Sequence, residues 1–112
     1  MTQPFVNPSR NEFQGRSLAY IRTLLHKKPM AHSCWSMSQR YKDMLVQQPR
    51  IGMVCFFGTR EPGDCGLMVE DGRVLMLDPQ GRPCIVPFER AAEIQPFIGA
   101  MFWPNPIEVV HR

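Results

Sequence analysis

The chain lacks any long apolar run: nothing in its 112 residues approaches the roughly 20 consecutive apolar residues of a membrane-spanning helix. No membrane span is therefore expected. The first residues, MTQPFVNPSRNEFQG, lack the charged-then-apolar order of a signal peptide. That implies synthesis in the cytoplasm without export by the standard route. There is no C-x-x-C pair either. The four cysteines, Cys34, Cys55, Cys65 and Cys84, are scattered, and only His32 beside Cys34 hints at a ligand pair. Structural zinc sites draw on closely spaced ligands, so neither a metal nor any other cofactor is expected. With no sign of secretion, the thiols are read as buried free cysteines and not as a disulfide framework. Charge of one sign is not in large excess: 13 basic and 10 acidic residues leave a net charge of +3, and the basic residues cluster only at His26-Lys27-Lys28. Such a cluster is expected at a solvated helix end, and nucleic acid is not expected as a partner. Repeats and low-complexity segments are absent, which leaves one domain with an ordinary hydrophobic share of 44%.

Helical patterning occupies the first half. In SLAYIRTLLHK, Leu18, Ile21, Leu24 and Leu25 recur at helical spacing before Pro29 stops the run. A second helix is expected from Ser33, a suitable N-cap, with Cys34, Met37, Tyr41, Met44 and Leu45 on one apolar stripe and Pro49 beyond its end.

After Pro49 the texture changes to short β-type runs. IGMVCFFG (51–58) is continuously apolar and bounded by turn residues, as expected of a central strand. Asp71-Gly72 separates two further apolar runs, 65–69 and 73–77, and predicts a type I′ hairpin, whose two central residues both take positive φ. PQGRP predicts another turn, CIVPF a strand, Phe88 to Gln95 a short helix, and FIGAMFW (97–103) a last strand. The expected fold class is α+β, with N-terminal helices packed on an antiparallel meander.

Cys34 raises the chemical question. A cysteine opening a helix meets unpaired N–H groups and the positive end of the helix dipole, which favour the thiolate. A nucleophile also needs a base. GMVCFFGTREPGDCGLMVEDGRVLML (52–77) resembles the core segment of NlpC-type cysteine peptidases and the related CHAP amidases. The strand Gly52 to Phe57, the Gly66-Leu67 pair and the Asp71-Gly72 turn all correspond, and SCWSM (33–37) falls where that family carries its nucleophile, with Cys34 on it. The resemblance covers roughly residues 17–86 and implies a papain-like fold of NlpC/CHAP type. It also implies a histidine base opening the second strand, and that position is Asp64 here. The place of the residue that orients the histidine falls near Met76, with Asp78 as its nearest polar neighbour. An ionised aspartate is a poor acceptor for a thiol proton. His32, His26 and His111 are the alternatives for a relocated base.

The expectation is accordingly a catalytically degenerate NlpC-like domain (17–103) with a structural or assembly role among protein partners, in a phage tail or ejection apparatus and so in a virion. Arms at 1–16 and 104–112 would flank it. Phe5, Val6, Trp103, Ile107 and Val109 are the candidate interaction residues, because apolar side chains on Pro-containing arms are natural docking segments. Two alternatives stand beside it: an active cysteine peptidase or amidase on peptidoglycan with Cys34 as nucleophile, and a small intracellular binding or inhibitor protein.

Overall fold

A computed structural model describes residue 13 and residues 15–104. Three helices, α1 (Ser17–Leu24), α2 (Cys34–Arg40) and α3 (Phe88–Ile94), accompany five strands: β1 (Val54–Phe57), β2 (Asp64–Glu70), β3 (Arg73–Leu77), β4 (Pro83–Pro87) and β5 (Phe97–Met101). The strands form one antiparallel sheet in the order β4-β3-β2-β1-β5. Together they make an α+β domain. Phe5, Val6, Ile107, Val109 and His111 lie outside the described residues.

Alternation along the strands sends successive side chains to opposite faces. Val54, Phe56, Cys65, Leu67, Leu75 and Leu77 meet Leu18, Tyr20 and Ile21 of α1 and Cys34 and Met37 of α2. On the other face Cys55, Phe57, Met68 and Val74 pack with Met53, Ala100 and Ala91 of α3. Phe57 there joins Phe88 and Phe97 in an aromatic cluster with ring centroids 4.8–6.0 Å apart. Both faces of β1 are thus covered, which is why its sequence is apolar without alternation. Side chains as fully enclosed as Tyr20, Phe56 and Phe57 each contribute about 1.5–3 kcal/mol of transfer free energy. The sequence places N-terminal helices on the sheet and a short helix over Phe88 to Gln95 without assigning the latter a face. The short helix after β4 provides the second layer.

Several boundaries differ from the sequence expectation, each for a local reason. The first strand is four residues long and not eight, because Ile51 and Gly52 form a turn closed by the N–H of Met53 on the carbonyl of Arg50, 3.0 Å away. The first helix stops well before Pro29. The N–H of Lys27 donates to the carbonyl of Arg22, and that of His26 to the carbonyl of Thr23, with His26 in the left-handed region at φ 58°. This is a Schellman closure with histidine where glycine is commonest. The second helix ends at Arg40 and tightens into a 3₁₀ turn over Lys42–Met44, which turns Met44 out to 56% exposure and off the apolar stripe. The hairpin turn is not type I′, since Gly72 takes a positive φ of 76° and Asp71 does not. A register shift between Met68 and Glu70 accommodates the difference.

Gly66 is held in place by packing. A Cβ there would lie 2.8 Å from the backbone oxygen of Leu75 and 2.6 Å from Cγ2 of Val74. Trp103 corrects another expectation. It is 8% exposed and belongs to the core cluster beneath α1 and α2, so it anchors the end of the domain from inside and does not stand on a docking arm.

No helix among the described residues is long and apolar enough to cross a membrane.

Candidate functional site

The first turn of α2 is built on the loop that enters β2. Ser33 caps the helix in extended conformation, its hydroxyl accepting the N–H of Ser36 at 3.0 Å. The N–H of Trp35 donates to the carbonyl of Pro62, also at 3.0 Å. Gly63 permits this approach. Its φ is 67°, and a Cβ on it would sit 2.9 Å from the nitrogen of Trp35. The consequence is that Cys34 lies directly against the start of β2, with its Sγ 2.7 Å from Sγ of Cys65.

Cys34 and Asp64 both border a cleft of about 680 Å³ between α1, the start of α2, the β2–β4 side of the sheet and α3. Ser17, Met76, Cys84 and Arg90 also line it. The two expected site residues are therefore brought to one cavity, but they are not partners. The carboxylate of Asp64 accepts the N–H of Cys65 at 2.8 Å and a hydrogen bond from the Ser17 side chain. Burial pushes the Asp64 carboxyl above its ordinary value, and the two hydrogen bonds only partly oppose that shift.

What faces Cys34 is a second thiol. Cys65 is fully buried, and burial, followed by its hydrogen bond with Cys34 and the negative charge of nearby groups, pushes its pKa well above the ordinary thiol value. Cys55 is raised to about 12 by burial, and Cys84 is raised by burial and by the carboxylates of Asp78 and Asp64. Cys65 is the site residue that the sequence motif does not point to. A signal was present: Cys65 and Leu67 share a face of β2, so whatever helix covers Leu67 must also cover Cys65.

Among the described residues, no histidine is hydrogen-bonded to Cys34. His32, although it borders the cleft, places Nε2 3.4 Å from Oε2 of Glu61 on the exposed side of the loop. His26 is exposed beyond the end of α1. Asp78, the polar neighbour of the expected orienting position, is occupied by the turn between β3 and β4. It accepts the N–H groups of Gln80 and Arg82, both at 2.9 Å, and pairs with the Arg82 guanidinium at 3.5 Å. Those contacts, the backbone bond from Arg82 foremost, hold its carboxyl below the usual range.

Two N–H groups of the first turn of α2, those of Trp35 and Ser36, are already paired within the protein and are not free for a developing oxyanion. No group of three or more His, Cys, Asp or Glu side chains suited to a metal ion occurs among the described residues.

No protein-family model, no curated protein and no solved structure matches this chain.

Proposed function

We propose that the chain is a degenerate papain-like domain of the NlpC/CHAP type, retained as a structural or assembly part and not as a hydrolase. The observation that carries this reading is the identity of the group against Cys34. A thiol whose own proton is held tightly by burial cannot take the proton of a neighbouring thiol, so Cys34 lacks a general base on the side where one would act. The paired N–H groups of Trp35 and Ser36 support the same conclusion, since they leave acyl-transfer chemistry with fewer preorganised donors at this turn. In the form suggested by the family resemblance, the partners are proteins of a phage tail or ejection apparatus.

Incubation of the purified protein with peptidoglycan tests the proposal. No muropeptides should be released. Release that disappears in the Cys34→Ala variant would replace this reading with an active amidase or peptidase.

A further inference from the structure

We propose that Cys34 and Cys65 form an intradomain redox couple, opened to hydroperoxides through the cleft and closed as a disulfide between the start of α2 and the start of β2.

Three observations converge on it. The two sulfur atoms are 2.7 Å apart, so a closure of about 0.7 Å reaches the bonded separation of about 2.05 Å. Their exposures differ in a useful way, because Cys34 borders the cleft and retains 4% of its surface, whereas Cys65 is wholly enclosed. No other cysteine competes for either sulfur: Cys55 packs on the opposite face of the sheet, and Cys84 lies on β4, separated from β2 by β3.

The reaction with hydrogen peroxide balances in two steps. The Cys34 thiol gives its proton to solvent water in the cleft, and the thiolate attacks one peroxide oxygen; the O–O bond breaks, the sulfur is oxidised to sulfenic acid, and the departing hydroxide takes a proton back from solvent and leaves as water. The Cys65 sulfur then attacks the Cys34 sulfur, the S–O bond breaks, and hydroxide leaves with the Cys65 proton as a second water. Two thiols and one peroxide yield one disulfide and two waters. A small dithiol reverses the change by exchange. Because the proposal concerns the pairing of two thiols, it does not depend on whether the domain cleaves anything.

The sequence makes the test direct, since trypsin places each cysteine on a separate peptide: Cys34 in 28–40, Cys55 in 51–60, Cys65 in 61–73 and Cys84 in 74–90. The intact protein is treated with hydrogen peroxide, its remaining thiols are alkylated in denaturant, and the digest is mapped by mass spectrometry. The expected product is peptide 28–40 joined to peptide 61–73, two hydrogens lighter than their sum and separated by dithiothreitol, with Cys55 and Cys84 still alkylated. In Cys34→Ala the linked pair disappears and Cys65 stays reduced. Peroxide that carries Cys34 to sulfinic acid without linkage overturns the proposal, as does linkage to Cys84 or between two chains. The wild-type map alone decides the matter if the variant fails to fold.

Discussion

The amide of Trp35 donates to the carbonyl of Pro62 across a gap of 3.0 Å, and Gly63 alone keeps that gap free of a side chain. The placement of Cys34 against β2 rests on this junction. Gly63→Ala introduces a methyl group 2.9 Å from the Trp35 nitrogen and imposes φ 67° on an alanine. A loss of about 1–3 kcal/mol is expected, read as a lower midpoint in denaturant. Alkylation of Cys34 in the folded variant should also be faster, because the first turn of α2 is displaced from the strand that shields it.

Asp64 gives a pH dependence of definite sign. Its folded pKa is raised by burial, so it binds its proton more tightly in the folded state than in the unfolded one. Its contribution to stability is then complete below the unfolded value of about 3.9 and is lost as pH rises through the folded value. Asp64→Asn removes the buried charge and keeps an oxygen for the N–H of Cys65. The variant should melt higher than the wild type at neutral pH, and the difference should shrink toward pH 3. Thermal melts of both proteins across that range check the prediction, and an equal difference at every pH would contradict it.

Trp103 should behave as a core residue. Truncation to alanine removes a nearly buried indole from the cluster that includes Leu18, Phe56 and Met101, at a cost of about 3–5 kcal/mol. Denaturant unfolding measures it. A change below about 1 kcal/mol would return Trp103 to the surface role first expected of it.

The elements that could be read from sequence are those fixed by local pattern. The change at Pro49 from helical to strand periodicity, the glycine-containing turn at 71–72 and the second-half order of strand, helix, strand all reflect short-range constraints. What was not legible depends on packing. Met44 fits a helical stripe, but the chain leaves α-geometry at Tyr41 and carries Met44 outward. Trp103 next to Pro104 reads as the root of an arm until the strand beside it closes the core. At the site, Cys34 opening the second helix was readable from Ser33 and the stripe behind it. Its neighbour was not, since the motif that Cys34 resembles points to Asp64 while the face alternation of β2 delivers Cys65. Sequence spacing identifies which residues share an element; only the sheet determines which of them meets the helix.

The two borders of the sheet have a bearing on association with other chains. Along β5, the outward backbone groups of Ala100 exchange two hydrogen bonds with Val46, each 2.9 Å, and the carbonyl of Ile98 accepts the side-chain amide of Gln47 at 2.9 Å. Along β4, Pro83 and Pro87 stand at either end of a five-residue strand and offer no N–H. One border is already bonded to the chain's own 46–47 segment, and the other is a five-residue strand with a proline at each end. An extended segment arriving beside β4 as a sixth strand would meet two residues of five that cannot donate. Among the described residues, the side-chain surfaces and the cleft, where shape and chemistry discriminate, are therefore more open to another chain than the sheet borders, where backbone pairing accepts almost any sequence.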